Sequence, residues 1–235
     1  MRGIAVLLLA VVVAGCVQQL PAAQKVSFST DDNFLIHGNY YEGSEKAVIL
    51  LHMLGSGKDS WNDFAQQLNK NNYTVLALDM RGHGESTLQY NQTRHWQDFP
   101  EDEFSNMLLD AKAAKAFLKE RGKVEFAVVG ASIGSSIALN QALADDDTRA
   151  AVLLSPGMNY KGVPADYFIT LYEKPVMLIA SEGDTSSADA AKYMYFFAKG
   201  RKELFILSGT GAHGTDMLNN TELDKRIIEW LGRNF

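Results

Sequence analysis

Short runs of apolar residues alternate along most of this chain with longer segments in which apolar residues recur every three or four positions. Runs such as residues 47–51 and 74–78 carry no charged side chain, which is typical of strands buried on both faces of a sheet. The intervening segments are typical of amphipathic helices. Because strands joined through helices run parallel, the helices are expected to cover both faces of the sheet.

The alternation predicts an α/β fold with a mostly parallel central sheet of about eight strands, flanked by helices on both faces. The predicted strands lie at residues 26–28, 34–36, 47–52, 74–79, 126–130, 151–155, 176–180 and 204–207. The predicted helices lie at residues 61–68, 104–118, 133–143, 188–198 and 223–231. Neither an internal repeat nor a low-complexity segment interrupts residues 26–235, so they are interpreted as a single domain.

The first sixteen residues have the pattern of an export signal. A positive charge at Arg2 precedes residues 4–14, an apolar run too short to span a bilayer as a helix. The run leads into Val-Ala-Gly-Cys, which resembles the lipobox of prokaryotic lipoproteins, and Cys16 is the only cysteine. We therefore expect residues 1–15 to be a cleaved signal peptide, Cys16 to be lipidated and residues 16–25 to be a tether. The protein would then be exported and anchored to a membrane or cell surface through that lipid. An ordinary secretory signal with an incidental cysteine is the alternative.

The composition excludes several classes of function. The 235 residues include 22 Lys and Arg against 28 Asp and Glu, a net charge of −6 without a dense basic segment, so nucleic acid is not an expected partner. A single cysteine forms neither an intrachain disulfide nor a cysteine-rich zinc site. Because the sequence has no phosphate-binding glycine loop, nucleotide signature or metal-ligand cluster, no cofactor and no metal are expected. The oligomeric state stays open.

Residues 130–134 read Gly-Ala-Ser-Ile-Gly between a predicted buried strand and a predicted helix. A sharp turn at this place exposes the hydroxyl of Ser132, and the flanking glycines remove side chains that would clash. The first N–H groups of the helix and its positive dipole end face the same point. Because ligands of such sheets bind at the carboxyl ends of the strands, Ser132 is the predicted nucleophile. A helix-capping serine is the alternative.

A serine nucleophile needs a base, and the chain has five histidines. His213 lies in a glycine-rich segment just beyond the last predicted strand, so a flexible loop could deliver its imidazole to Ser132. His213 is therefore the predicted base. Three others are interpreted as structural and one is left open as a substrate contact: His37, His52 and His83 are structural, and His95 is open.

The base in turn needs an acid that orients it. Asp184 follows the predicted strand at residues 176–180 and is the predicted partner of His213. Glu182 and Asp189 are rivals nearby. The alternative for Asp184 is a helix cap or turn, which aspartate also favours.

The order Ser132, Asp184, His213 with the Gly-x-Ser-x-Gly pattern resembles the α/β-hydrolase fold family, and the resemblance covers nearly the whole chain beyond the signal. Residues 79–86 also look like the family's Asp-x-Arg-Gly-His-Gly-x-Ser turn. In this turn the charged residues and the histidine are interpreted as mainly structural, namely Asp79, Arg81 and His83.

Residues 52–57 look like the family's His-Gly-x-x-Gly oxyanion loop. The resemblance implies that the backbone N–H groups of Leu54 and Ile133 stabilise the oxyanion. Met53 stands where the family usually has glycine, which puts the backbone geometry of the loop in question and could narrow an acyl pocket.

Within this family a serine nucleophile implies acyl transfer, so we expect a carboxylesterase-like serine hydrolase that acts on small acyl or ester substrates. Only residues 156–175 separate two strands where many relatives insert a cap, so we expect an open site without a cap domain. Aromatic residues in segments 90–99, 160–168 and 193–196 are candidates for its rim, with ordinary packing as their alternative role. A thioesterase, a peptidase, a perhydrolase and a non-catalytic binding protein of the same fold are the alternatives.

Overall fold

The computed structural model describes residues 22–219 and 221–235. The predicted signal peptide, Cys16 and most of the predicted tether lie outside the described residues. The last two tether residues, Gln24 and Lys25, already belong to the first strand, where they pair with Tyr40 and Asn39. The first strand therefore begins slightly earlier than predicted, because polar residues of an edge strand carry no apolar pattern.

Twelve strands and six α-helices are found in the described part of the chain. The strands are β1 (Gln24–Ser29), β2 (Phe34–Tyr41), β3 (Lys46–Leu51), β4 (Thr74–Asp79), β5 (Leu88–Gln89), β6 (Gln92–Thr93), β7 (Glu125–Ala131), β8 (Thr148–Leu154), β9 (Asn159–Tyr160), β10 (Val163–Pro164), β11 (Val176–Ser181) and β12 (Lys202–Leu207). The helices are α1 (Asn62–Lys70), α2 (Met107–Lys119), α3 (Ile133–Ala144), α4 (Asp166–Ile169), α5 (Thr185–Phe197) and α6 (Thr221–Asn234). All eight predicted strands and all five predicted helices are present, with shifted ends.

Ten strands form one sheet in the order β12-β11-β8-β7-β3-β4-β2-β5-β6, with β1 paired to β2. The six strands from β12 to β4 pair in parallel, whereas β2 is antiparallel to β4 and to β1. The predicted fold class is confirmed. The strands that the sequence missed in this sheet, β5 and β6, have two residues each, too few to show a periodic pattern.

Two hydrophobic cores lie on the two faces of the sheet. Helices α2, α3 and α5 cover one face, and α1 and α6 cover the other. Neighbouring residues of β7, Val128 and Val129, belong to opposite cores, and both are fully buried. Burial on both faces explains why the central strands read as unbroken apolar runs.

The connection between β8 and β11 is short. It forms the β9–β10 hairpin and the four-residue helix α4, as expected for a chain without a cap domain at this point. Over the two described ranges, every helix falls short of the length and apolarity needed to cross a membrane.

Candidate active site

Ser132 occupies a strained turn between β7 and α3, with φ 54° and ψ −121°. A positive φ is uncommon for a residue with a side chain. Two glycines make this turn sterically feasible: a Cβ on Gly130 would lie 2.0 Å from the carbonyl oxygen of Gly134, and a Cβ on Gly134 would lie 2.4 Å from that of Leu51. The second contact brings the start of α3 directly against the end of β3.

The backbone of Ser132 is held from two sides. Its N–H donates to the carbonyl of Leu154 at 2.9 Å, and its own carbonyl accepts the N–H and the hydroxyl of Ser135 at 2.8 and 2.6 Å. The residue is 7% exposed, so the serine lies at the edge of the protein interior. These bonds hold the turn at the carboxyl ends of β7 and β8, where the sequence predicts the site.

His213 and Asp184 are in direct contact, with Nδ1 of the imidazole 2.6 Å from Oδ2 of the carboxylate. Burial alone raises the pKa of Asp184, but the hydrogen bond from His213 and a further interaction with Ser187 outweigh burial and bring this pKa below its ordinary value. An ionised Asp184 therefore accepts the Nδ1 proton, which leaves Nε2 available for acid–base chemistry. Asp184 also occupies the N-cap position of α5.

The rival carboxylates make other contacts. Oε2 of Glu182 accepts the N–H of Gly209 at 3.3 Å, and Asp189 forms an exposed ion pair with Lys192. Of the three candidates, the carboxylate against the imidazole is that of Asp184. Elsewhere in the described ranges, no three His, Cys, Asp or Glu side chains are grouped so as to hold a metal ion.

The loop that carries the imidazole runs past the turn of Ser132. Gly214 packs against the residue before the serine: a Cβ on Gly214 would lie 3.5 Å from Cβ of Ala131 and 2.8 Å from the sulfur of Met53. Within the described residues, no direct hydrogen bond joins the hydroxyl of Ser132 to His213. The structure thus brings the imidazole of His213 and the carboxylate of Asp184 into contact and sets the loop of His213 beside the serine turn.

The predicted oxyanion donors lie in the turn that follows β3 and at the first residue of α3. Leu54 and Gly55 are the central residues of a turn that the N–H of Ser56 closes on the carbonyl of Met53 at 3.1 Å, with φ 76° at the glycine. The backbone N–H groups of Leu54 and Ile133 donate to no acceptor among the described residues. A side chain at position 53 is compatible with the turn.

Two buried histidines support this turn. Nε2 of His52 accepts the N–H of Met80 at 2.9 Å, so its Nδ1 carries the proton and donates to the carbonyl of Met53 at 2.8 Å. Nε2 of His83 accepts the N–H of Gly55 at 3.1 Å, and its Nδ1 donates to a backbone carbonyl of its own turn. Burial lowers the pKa of His52 to about 3 and also lowers that of His83, so both rings are neutral.

Buried ion pairs brace the turn at residues 79–86. The guanidinium of Arg81 lies between the carboxylates of Asp110 and Asp32, at 2.8 Å from each, and the aspartate that opens the turn pairs with Lys58 at 2.5 Å. These contacts fit the structural roles expected for the charged residues of this motif.

Other side chains reach the site without having been predicted as site residues. The hydroxyl of Tyr160 lies 3.4 Å from that of Ser187. Burial raises the pKa of Tyr160, although hydrogen bonds to the hydroxyls of Ser187 and Ser132 act in the opposite direction. The ring of Trp96 stacks on His83 with 5.4 Å between ring centroids. The sequence places both aromatics only among the rim candidates, and it carries no signal for Ser187.

Solved structures that resemble this protein include hydrolases. An esterase from Pyrococcus furiosus superposes with a TM-score of 0.71 at 20% identity, over 90% of this chain and 91% of the esterase. A dienelactone hydrolase from Anabaena variabilis superposes with a TM-score of 0.72 at 16% identity, over 92% of this chain and all of the other. At these identities the likeness shows the α/β-hydrolase fold alone.

Curated relatives match part of the chain. It is 29% identical over 143 residues to a probable alcohol acetyltransferase of Cyberlindnera fabianii, and 36% identical over 98 residues to the serine hydrolase BPHL of Mus musculus. These alignments cover 59% and 42% of this chain but only 35% and 31% of the relatives. The sequence model of a family described as serine aminopeptidase S33 matches residues 42–188, more than half of the chain, including Ser132 and Asp184. The protein therefore belongs to the serine aminopeptidase S33 family of α/β-hydrolase-fold serine hydrolases.

Proposed function

We propose that this protein is a carboxylesterase-like hydrolase in which Ser132, His213 and Asp184 act as a catalytic triad. The observation that carries the proposal is the 2.6 Å contact of His213 with Asp184 on a loop that packs against the strained turn of Ser132. A nucleophile, a base and an orienting acid at one sheet edge are what acyl transfer requires.

In the acylation step the hydroxyl oxygen of Ser132 attacks the carbonyl carbon of the substrate. Nε2 of His213 takes the serine proton, and the carboxylate of Asp184 stabilises the imidazolium that forms. The carbonyl oxygen becomes an oxyanion, to which the backbone N–H groups of Leu54 and Ile133 donate. In serine hydrolases one such donor stabilises the transition state by about 3 kcal/mol.

In the following steps the imidazolium of His213 protonates the leaving alcohol, and an acyl-enzyme ester remains on Ser132. A water molecule then enters, His213 takes one of its protons, and the hydroxide attacks the acyl carbon. Collapse of the second oxyanion releases the carboxylic acid and returns the proton to Ser132. Over both steps, one ester and one water molecule become one alcohol and one carboxylic acid, and Ser132 and His213 return to their starting states.

Ester hydrolysis is supported by the sequence relative named a probable alcohol acetyltransferase, since transfer of an acetyl group to an alcohol makes an ester. Amide hydrolysis is the second candidate, because the matching family is described as serine aminopeptidase. Both reactions would use the same acyl-enzyme and differ in the leaving group that His213 must protonate.

The test combines active-site labelling with a substrate series. We expect a fluorophosphonate probe to label the wild type and not Ser132→Ala. The matched control is Ser136→Ala, which removes a nearby buried hydroxyl in α3, one without a hydrogen-bond partner among the described residues. Hydrolysis is then measured on p-nitrophenyl esters of increasing acyl length, on acyl thioesters and on aminoacyl p-nitroanilides.

Labelling with turnover of esters above the other substrates would support the proposal. Labelling with turnover of the anilides alone would identify a peptidase on the same residues. An unlabelled wild type that is folded would overturn the catalytic proposal in favour of a binding protein.

We also propose that the protein is exported and anchored through lipid on Cys16, on the sequence pattern alone. The chain is expressed in a bacterial host and fractionated. Wild type should sediment with membranes and Cys16→Ser should be released. Membrane association of Cys16→Ser would contradict lipid anchoring.

A further inference from the structure

The residues on either side of His213 are each bonded to a buried serine. Ser155 follows β8, and its Oγ accepts the N–H of Gly214 at 2.9 Å. Ser181 ends β11, and its Oγ donates to the carbonyl of Ala212. Both serines are fully buried. The two strands are parallel neighbours in the sheet, so both serines lie at the same carboxyl edge, and each is bonded to the loop there.

We infer that Ser155 and Ser181 are positioning residues that lock the His213 loop, defined as residues 208–214, in the geometry that proton transfer requires. The inference rests on the proposed function. Neither serine touches the reacting atoms, and each acts through the backbone next to the imidazole.

The backbone conformation at Ser155 indicates that this position requires a hydroxyl side chain. Its φ is 46°, in the left-handed region that serine disfavours, while its N–H donates to the carbonyl of Ile179 at 2.7 Å. Glycine would adopt this conformation more easily. A serine at a left-handed position therefore points to a use for its hydroxyl, and that use is the bond to Gly214. The carbonyl of Ser155 also accepts the hydroxyl of Tyr160 at 3.1 Å.

The His213 loop needs such constraints because of its composition. Residues 209 and 211 are glycines, and the glycines at 209 and 214 have positive φ values of 71° and 58°. A chain of this kind samples many conformations when it is free. Here it is also bonded to the turn after β11, where the N–H of Gly183 donates to the carbonyl of Thr210 at 2.8 Å. Just before the loop, the N–H of Glu182 donates to the carbonyl of Leu207 at 2.7 Å.

The glycine-rich sequence predicts a flexible loop that delivers the imidazole, whereas in the structure hydrogen bonds hold the loop in one conformation. Displacement of a catalytic group by about 1 Å costs up to roughly 100-fold in rate, so a fixed imidazole is an advantage for catalysis. Buried hydroxyls are unfavourable unless they are hydrogen-bonded. Ser181 donates its proton to the loop, whereas Ser155 accepts from the loop and directs its own proton to the sulfur of Met217 at 4.0 Å.

The test compares Ser155→Gly, Ser181→Ala and the double variant with Ser181→Thr and Ser136→Ala. Ser155→Gly removes the hydroxyl and suits the left-handed backbone, so the fold should survive. Ser181→Thr keeps a hydroxyl at the end of β11 that can donate to the carbonyl of Ala212, so it is the conservative variant. The readouts are kcat and KM for a p-nitrophenyl ester, the rate of fluorophosphonate labelling, the thermal midpoint and amide hydrogen exchange at residues 212–214.

We expect each hydroxyl deletion to lower kcat and the labelling rate by roughly 10- to 100-fold, with KM nearly unchanged and faster exchange at Gly214. Ser181→Thr should recover most of the loss, and Ser136→Ala should match the wild type. Folded variants with wild-type kcat, or losses confined to KM, would overturn the inference.

Failure of the proposed function gives a different result. A wild type that neither turns over esters nor reacts with the probe would overturn the catalytic role and with it the positioning role for catalysis. Hydrogen exchange then still tests whether the two hydroxyls restrain the His213 loop. Unchanged exchange at residues 212–214 in the double variant would show that they do not.

Discussion

Asp184 lies 29 residues before His213 in the chain, and its Oδ2 is 2.6 Å from Nδ1 of the imidazole. The carboxylate lies at the start of α5, which follows β11, and the imidazole lies on the loop that follows β12. These two strands are parallel neighbours in the sheet. Because of this contact, the proposed mechanism can be tested by changing Asp184 as well as His213.

Replacing Asp184 by asparagine should lower kcat by roughly 100- to 10,000-fold while the fold is kept, because the amide no longer stabilises the imidazolium or fixes its tautomer. The measurement is kcat on a p-nitrophenyl ester together with the labelling rate. Asp189→Asn is the matched control, since its carboxylate is exposed and pairs only with Lys192 among the described residues. A kcat for Asp184→Asn close to that of the wild type would exclude Asp184 as the orienting acid.

Gly134→Ala should destabilise the protein by about 3 kcal/mol or more, or prevent folding, because the new Cβ would lie 2.4 Å from a backbone oxygen of Leu51. Gly232→Ala in α6 is the matched change: its Cβ meets only the hydroxyl of Tyr73, at 3.9 Å, and alanine favours helix by about 1 kcal/mol. Urea unfolding should therefore move the two variants in opposite directions. Equal stability of Gly134→Ala and the wild type would contradict the tight contact between α3 and β3.

Asp224→Asn should stabilise the protein at neutral pH. Burial raises the pKa of Asp224 to about 6, the carboxylate of Asp63 adds to this shift, and Oδ1 has no hydrogen-bond partner among the described residues. The folded pKa lies above the unfolded value near 4, so the wild type loses stability as pH rises from about 4 to 6. Asparagine removes this loss, which predicts a gain of roughly 1–3 kcal/mol at pH 8 and a smaller gain at pH 4.5. Urea unfolding at the two pH values checks the difference, and a gain independent of pH would count against it.

His52→Ala should lower both stability and kcat without moving the pH dependence of kcat/KM above pH 5. The ring is already neutral there, since burial lowers its pKa to about 3. Its loss leaves the buried N–H of Met80 without its acceptor, which costs about 1–3 kcal/mol, and frees the turn that carries Leu54. A shift of the acidic limb of the pH profile in His52→Ala would instead identify His52 as a titrating group of the reaction.

The sequence by itself determined the fold class and the place of the serine. Strands buried on both faces appear as apolar runs, and the turn at Ser132 needs glycines at positions 130 and 134 for steric reasons, so both features leave local patterns. A third local signal is the glycine-rich segment of His213 directly after a strand. Because parallel strands share one carboxyl edge, these local signals were enough to predict that the groups lie at the same edge.

The tertiary structure alone decided which carboxylate meets the imidazole and what holds the loop. Glu182, Asp184 and Asp189 lie within eight positions of one another, and only their geometry around the start of α5 separates them. The bonds of Ser155 and Ser181 to the loop span 59 and 31 residues of sequence. A hydroxyl at the end of a strand has no sequence pattern that reveals a partner so far away, because the partner is set by how strands and loops pack in space.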